Sequence, residues 1–499
     1  MRRSTKNWLP GVLFTAVLVL VEVLFMVLLI STKLVPVKFL VLIAVACLLF
    51  SGLVYFLTRD ARKGGRLIGG AVLIGVLVIG IAFGSSYIYQ GVDTLDTITT
   101  ETKIELADVA IYAAADDSAA TVQDAAGYTF GILSVMDREN TDKALEQITE
   151  MLGHAPATRE YASVSDLVDS ILTTGETQAI VMNSAFFTLL HELEGYEDSS
   201  SRLKELDTVT VKKIVEVEKP KEEAGSDVEE EEHSGSVFSV YISGIDSRGS
   251  ISTVSRSDVN IIATVNTDTH QVLLVSTPRD YYVPLSISNG VPDKLTHAGI
   301  YGINVSIETL EMLYGVDINY YFRVNFSGFE DIIDALDGIT VESDVAFEVD
   351  NYGIEYPIFE GQNDLTGEQA LAFARERQAF ASGDRQRGKN QMVVIKAVIA
   401  KALSPALLSN YSDILQGVSG SFESSMPYDT LAELVRNQLD SGADWNIVTY
   451  SVDGSSDYQK PYSLSTTAYV MVPDTSTVNH AIELMNKVKS GETLTQESQ

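Results

Sequence analysis

Three apolar runs open the chain, Trp8 to Ile30, Phe39 to Leu57 and Leu67 to Tyr89. Each is about 20 residues, the length at which an α-helix crosses a hydrocarbon core of roughly 30 Å. No small-residue cleavage site follows the first run and two more runs come next, so the pattern predicts three membrane spans and not a cleaved signal peptide. Basic residues set the orientation. Arg2, Arg3 and Lys6 precede the first span, and Arg59, Arg62, Lys63 and Arg66 lie between the second and third, against only Lys33 and Lys38 in the intervening loop. The excess of positive charge on cytoplasmic loops puts the N-terminus inside, and three spans leave everything beyond about residue 90 outside the cell. Glu22, within the first span, either faces another helix or a partner, or neighbours the outer water.

Over residues 91–215 helical and strand-like patches alternate. VQDAAGYTFGILSVMD and QAIVMNSAFFTLL contain apolar, β-branched runs, whereas TDKALEQITEML and VSDLVDSILTTG show helical spacing, with Thr141 and Ser163 or Ser165 as caps. These predict a small accessory α/β domain with no catalytic constellation. Residues 216–235 are poor in apolar side chains and carry the run Glu229 to Glu232, which reads as a solvated acidic linker. From residue 236 to about 490 a larger domain follows. VFSVYISGID, DVNIIATVN and QVLLVSTPRD read as successive strands, with further strands near 317–324, 339–342 and 446–451. Helices are expected in NVSIETLEMLYG, FSGFEDIIDALDG, EQALAFARER, NQMVVIKAVIAKAL, PYDTLAELVRNQL and NHAIELMNKVKS. Strands interleaved with helices make this a layered α/β domain around a central sheet.

Composition changes the picture in two ways. Residues 1–90 hold nine Lys/Arg and two Asp/Glu, leaving 26 basic and 66 acidic residues for the rest. A net charge of about −40 there repels nucleic acid, whose capture requires neutralised phosphates, and argues against DNA binding. The single cysteine, Cys47, lies in the second span, so the exported region relies on no disulfide. That fits a bacterial envelope protein better than an animal-type secreted scaffold.

Two polar clusters carry the chemistry. Asp246 follows a strand and the turn at Gly244, and Asp258 starts the next strand, so a hairpin-like return brings the two carboxylates together as one Mg2+ would require. Equally, Ser257 and Asp258 merely cap a turn while Arg256 pairs with one of the acids. The second cluster, RERQAFASGDRQRGKNQ, packs Arg375, Arg377, Asp384, Arg385, Arg387 and Lys389 into a short stretch of an acidic protein. Guanidinium groups suit bidentate capture of phosphate. Thr366 and Gln369 have capping-box spacing, and if the helix they open ends near Arg375, Arg375 and Arg377 share one face of an extended segment. A second helix starting near Gly388 or Lys389 would place Arg387 at an N-terminus that already favours anions. GDRQRGKN lacks the final Ser or Thr of a P-loop and follows a helix instead of a strand, which sets nucleotide hydrolysis aside. His297 either orients a ligand or is structural.

At GIDSR, RSDVN, STPRDYYVP, KLTHAGIYG, YYFRVNFSGF, LTGEQALAFARER and the Asp384/Arg387 DxxR element, the chain resembles the LytR-CpsA-Psr family, strongly over 236–402. The three spans, extra domain and linker resemble its streptococcal capsule-locus branch of CpsA or Wzg proteins. The resemblance implies an extracellular α/β domain with a central mixed sheet flanked by helices. It implies a multi-pass protein of a Gram-positive cell membrane, working with other capsule-assembly proteins. The implied activity is transfer of capsular polysaccharide from a polyprenyl diphosphate carrier to peptidoglycan, with pyrophosphatase activity when water replaces the acceptor. The alternative is a non-catalytic membrane regulator of capsule synthesis that binds polyprenyl phosphate lipids. Carried over by motif, Asp246 and Asp258 hold Mg2+, with Mn2+ as an alternative. Arg256 pairs with or orients an acid, and Arg279 contacts the diphosphate and, with the two acids, is catalytic. Arg375, Arg377, Arg387 and Gln391 bind further phosphate oxygens, and Asp384 positions the arginines. Where many members have a second Arg and paired Gln, this chain has Asn390, Gln391 and Met392, which leaves Arg385 or Lys389 as substitutes. The prenyl tail is expected in an apolar tunnel between the sheet and helices such as 304–314 and 327–336.

Overall fold

The computed structural model describes residues 9–59, 64–98, 102–191, 193–216, 236–247, 249–351, 353–380, 383–404, 418 and 420–495. Apart from Glu216, the expected linker lies outside the described residues, as do Arg2, Arg3, Lys6, Arg62 and Lys63. The chain divides into two compact units. One holds residues 1–100, 401–419 and 426–444, and the other 101–400, 420–425 and 445–499.

In the first unit the apolar runs are helices: α1 (Leu9–Ser31), α2 (Val37–Thr58) and α3 (Gly64–Ile98). Gly11–Ser31, Val37–Thr58 and Gly65–Gln90 are each long and apolar enough to cross a bilayer. They approach closely at small residues, as helices without a hydrophobic drive between them must. A Cβ on Gly11 would stand 2.7 Å from the Thr58 carbonyl oxygen. Of the two readings of Glu22, the structure selects the helix-facing one: its carboxylate is buried and accepts a 2.7 Å hydrogen bond from Ser51 Oγ on α2. The turn between α1 and α2 meets the amphipathic helix Tyr428–Ser441, where Lys33 pairs with Asp429 at 2.9 Å, Lys38 with Asp440 at 3.1 Å, and Tyr428 OH donates to the Thr32 carbonyl.

The second unit contains two sheets. The accessory sheet has the order β3-β2-β4-β1-β5, from β1 (Thr102–Ala114), β2 (Thr129–Leu133), β3 (Ala157–Tyr161), β4 (Ala179–Asn183) and β5 (Leu203–Glu216). Alternate residues of β1 serve opposite faces, as the two-residue period of a strand dictates. Val109, Ile111 and Ala113 pack with Ala144 and Ile148 of α4 (Arg138–Leu152), while Ala110 and Tyr112 pack with Val164, Leu167 and Val168 of α5 (Val164–Leu172). Ser163 caps α5, accepting from Asp166 N, whereas α4 begins three residues before the expected Thr141, whose hydroxyl turns back to the Asp137 carbonyl. Two single-turn helices, α6 (Phe187–Leu190) and α7 (Ser199–Arg202), lead into β5.

The larger sheet is six-stranded and mixed, in the order β16-β11-β6-β7-β8-β17. Its hairpin core is β6 (Val237–Ile245), β7 (Ser257–Asn266) and β8 (Gln271–Ser276), all antiparallel neighbours. The small antiparallel pair β9 (Tyr282–Pro284) and β10 (Pro292–Lys294) and helix α8 (Ile303–Tyr314) follow, before β11 (Tyr320–Val324) joins β6 in parallel. Helix α9 (Phe326–Ala335) leads to an arm of four strands, β12 (Ile339–Ser343), β13 (Phe347–Asn351), β14 (Ile354–Ile358) and β15 (Gly361–Leu365). Then come α10 (Gly367–Arg375), α11 (Asp384–Ala402), the edge strand β16 (Phe422–Ser424), and β17 (Asn446–Ser451) parallel to β8. A hairpin of β18 (Gly454–Gln459) and β19 (Ala468–Pro473) and helix α12 (Thr475–Lys489) complete it. One face of the sheet, with Tyr241, Ile262, Leu273 and Val275, closes over α8 and α12. The other, with Ile261, Ala263, Val272 and Leu274, faces Met392 of α11. The expected class therefore holds: mixed α/β, with three apolar N-terminal helices and a larger sheet domain.

Candidate active site

Because β7 runs opposite to its neighbours, the C-terminal ends of β6, β8 and β11 and the start of β7 share one edge of the sheet. Ligands of α/β sheets gather at such ends. Asp246 leaves β6 there, where Ile245 is opposite Ser257 and Asp246 N donates to the Arg256 carbonyl at 3.2 Å. Gly244 is needed for this closure, since a Cβ would lie 2.8 Å from Val259 Cγ2. Under the edge, Ser257 Oγ lies 2.7 Å from Ser243 Oγ and 2.9 Å from Tyr241 OH, which donates to Asn260, so the strand ends are tied by buried hydroxyls.

Each acid takes an arginine. Arg256 Nη2 donates to Asp246 Oδ2 at 2.6 Å, and Arg279 Nη1 to Asp258 Oδ2 at 2.9 Å. Thr296 Oγ1 donates to Asp258 Oδ1 at 3.0 Å. Burial alone would push the Asp258 carboxyl up, yet the charges of Arg279, Arg256 and Arg387 and the Arg279 hydrogen bond outweigh it and hold the group below the ordinary carboxylate range. Arg387 thus acts on Asp258 from the first turn of α11. A Cβ on the next residue, Gly388, would stand 3.9 Å from Ser276 Oγ at the end of β8. That helix begins at Asp384, earlier than the expected Gly388 or Lys389, which puts Arg387 inside its first turn. The Asp384 side chain lies outside the described residues.

The remaining candidates divide. The capping box of Thr366 and Gln369 forms and α10 ends at Arg375, whose guanidinium lies 4.6 Å from the Phe326 ring centroid. Phe326 N donates to the Ser247 carbonyl, next to Asp246. Arg377 is exposed in the segment after α10, and Gln391 is half-buried on α11. Arg385 points elsewhere: its Nε pairs with Asp453 at 2.9 Å and its Nη2 donates to the Gly454 carbonyl. Asn390 is buried and donates to the Phe373 carbonyl at 3.0 Å, fastening α11 to α10. His297 is fully buried, with Nδ1 2.7 Å from Asp293 and 3.0 Å from Ser463, a structural role. Thr296, beside it in sequence, was legible only as part of KLTHAGIYG.

Of the helices expected to flank an apolar tunnel, 327–336 buries Ile333, and 304–314 buries Leu310 and Tyr314, with Ile303 at its start, against the sheet. Partly buried apolar side chains lie on the opposite face, from Val240, Ile242 and Val259 to Ile395 and Ile399 of α11. Among the described residues no group of three or more His, Cys, Asp or Glu forms a metal cluster. Asp246 and Asp258 offer the carboxylate oxygens that Mg2+ takes, and each is held by an arginine that bound phosphates would compete for.

Fold and site together define a membrane-helix-bearing α/β domain whose sheet edge carries an arginine-rich mouth over two acids. The LytR_cpsA_psr family matches residues 204–486, more than half of the chain, and the chain belongs to that family. It is 33% identical over 230 residues, 46% of this chain and 74% of the relative, to the polyisoprenyl-teichoic acid–peptidoglycan teichoic acid transferase TagU of Bacillus anthracis. It is 36% identical over 200 residues, 40% of this chain and 64% of the relative, to the TagU of Enterococcus faecalis. Among solved structures, B. subtilis TagV covers 52% of this chain and 99% of its own at 26% identity and a TM-score of 0.45.

Proposed function

We propose that this chain transfers a polyprenyl diphosphate-linked glycopolymer, specifically a capsular polysaccharide, to peptidoglycan at the outer face of the membrane. The observation that supports it most is Asp258 kept ionised among Arg279, Arg256 and Arg387, cations brought from three distant stretches to one sheet edge. Three guanidinium groups converge there, the group type that captures a diphosphate. The family membership and the transferase name of the TagU relatives point the same way.

In the reaction an acceptor hydroxyl oxygen on peptidoglycan bonds to the glycan-bearing phosphorus. The bond from that phosphorus to the bridging oxygen breaks, polyprenyl phosphate leaves with the electron pair, and the acceptor's hydroxyl proton passes to solvent water. Arg279 and Arg387 hold phosphate oxygens and offset charge that grows on the leaving group, the kind of preorganised stabilisation that carries most of the barrier reduction in phosphoryl transfer. Arg256 fixes the Asp246 carboxylate, and Thr296 fixes that of Asp258. Asp258, lowered in pKa, is a poor proton acceptor and serves as a fixed anion instead of the general base. Bound Mg2+ would supply Lewis-acid polarisation of phosphate oxygens from Asp246 and Asp258. The partly apolar face between the sheet and α11 suits the prenyl chain. Water in place of the sugar hydroxyl gives diphosphate hydrolysis.

The test is full-length protein in nanodiscs with radiolabelled polyprenyl diphosphate-linked capsular polysaccharide, Mg2+ and peptidoglycan. Label should reach the peptidoglycan as polyprenyl phosphate appears, and Asp258→Ala should abolish both. Tight lipid binding without either product defeats the transferase reading in favour of a lipid-binding regulator.

A further inference from the structure

The accessory sheet reaches into the site through the edge of β1. Its neighbour β4 pairs only with Val109–Ala113, whereas β5 pairs along all of β1, so the other edge of Thr102–Asp108 is left open by the accessory sheet. The loop between the two candidate aspartates takes it. Leu106 pairs in parallel with Thr253, Leu106 N donates to the Ser252 carbonyl at 2.8 Å, and Val254 N donates to the Leu106 carbonyl at 3.0 Å. Val254 is itself buried in the accessory core with Val209 and Val211. Two residues on, Arg256 divides its guanidinium, Nη2 on Asp246 and Nη1 3.5 Å from the Thr188 carbonyl at α6.

Glu105, adjacent to Leu106, secures the other side. Its Oε1 accepts from Arg323 Nη1 at 2.7 Å and from Ile303 N at 2.9 Å. A Cβ on Gly302 would lie 2.6 Å from Glu105 Oε2, and Gly302 sits at φ +115, so this position is closed to other residues. Gly302 ends the 3-10 segment Leu295–Tyr301 that carries Thr296, the partner of Asp258. One partner of each acid, Arg256 for Asp246 and Thr296 for Asp258, therefore rides on a segment fastened to β1.

We infer that the accessory domain is part of the transfer machinery, templating residues 249–256 and the Thr296 segment, with Val254 and Glu105 as positioning residues. The inference rests on the transferase reading and gives the accessory domain its role. Holding a loop in one conformation before substrate arrives removes an ordering cost from the reaction, and small displacements of positioned groups are expensive in rate.

The test combines turnover with hydrogen exchange on the full chain in detergent. In Val254→Ala, kcat/KM for the lipid-linked glycan should fall on the order of 10- to 100-fold. Amides of 252–256 should lose protection while β7 and β8 keep theirs, and Val254→Ile should restore both. Glu105→Ala should slow turnover and additionally deprotect 296–303. Where Glu105→Ala fails to fold, Val254→Ala still decides. Wild-type exchange at 252–256 and unchanged kcat/KM in Val254→Ala, with only a lower Tm, overturns the inference. The exchange measurement needs no turnover, so a chain that binds lipid without transferring it leaves the templating result readable on its own.

Discussion

Two arginine–carboxylate clusters lie within the same unit, and they are built for opposite ends. Arg323, 2% exposed, is held between Glu105 and Glu423 at 2.7 Å each, with Tyr321 OH donating to Glu423. Buried Lys103 stands close enough for Glu423 to oppose the downward pull of burial on its pKa. There carboxylates match cations and little water enters, so the cluster is a structural rivet. At the sheet edge the ion pairs are more open, with the Asp246 side chain 30% exposed, Arg279 also 3.6 Å from Asp280, and the charge of Arg387 bearing on Asp258. The same residue types thus separate by access. A closed cluster ties strands together, while a more open cluster rich in guanidinium can take an anion.

The contrast can be broken by mutation. Arg323→Ala strands two buried carboxylates and should cost about 3–5 kcal/mol of stability, visible as a large fall in the urea midpoint. Unchanged stability would make the rivet idle. Arg279→Ala should lower kcat/KM by about 10²–10³, the usual loss of one preorganised charge donor, with a smaller fall in the midpoint than Arg323→Ala because its pair with Asp258 is more open. A large stability loss with retained turnover would reverse the roles assigned to the two clusters.

A third carboxylate sharpens the comparison because it has neither fate. Asp137, in the left-handed region at φ 52, is desolvated, and although Asn183 and Asn140 donate to it and Lys213 lies near, its pKa is raised to about 6. The folded state then binds a proton at Asp137 more tightly than the unfolded chain, so this group's contribution to stability is greatest at low pH and falls as pH rises from about 4 to about 6. Asp137→Asn should remove that slope and gain about 1–2 kcal/mol at pH 7, measured by denaturation across pH. A slope that survives the substitution assigns it to another group. The smallest effect belongs to Arg385→Ala, whose exposed pair with Asp453 should contribute under about 1 kcal/mol. Its turnover should stay at the wild-type rate, and a marked loss would bring Arg385 back into the site.

What the sequence revealed of this arrangement follows its locality. Membrane spans, the capping box at Thr366 and the strand-turn-strand around Asp246 and Asp258 are set by periodicity and neighbours, and all are found where the pattern puts them. Strands β13 to β15 and β18 to β19 were missed: Phe347 and Val349 in β13 and Ile354, Tyr356 and Ile358 in β14 do alternate, but over only five residues each, while β18 is polar and exposed and carries no alternation. The diversion of Arg385 depends on Asp453, and the clamp at Leu106 and Glu105 depends on loops far along the chain. Such contacts leave no local trace. Nor did Thr296 stand out from the more conspicuous His297, although its hydroxyl is the one that reaches Asp258.

The central claim is that guanidinium groups from separate stretches form one diphosphate seat. Calorimetric titration of the full chain with a soluble short-chain prenyl diphosphate tests it most directly. Arg279→Ala should weaken binding about 10- to 100-fold, in keeping with loss of a charge-assisted bidentate contact, while Arg385→Ala binds as the unaltered chain does. Equal affinity in all three proteins would contradict the account.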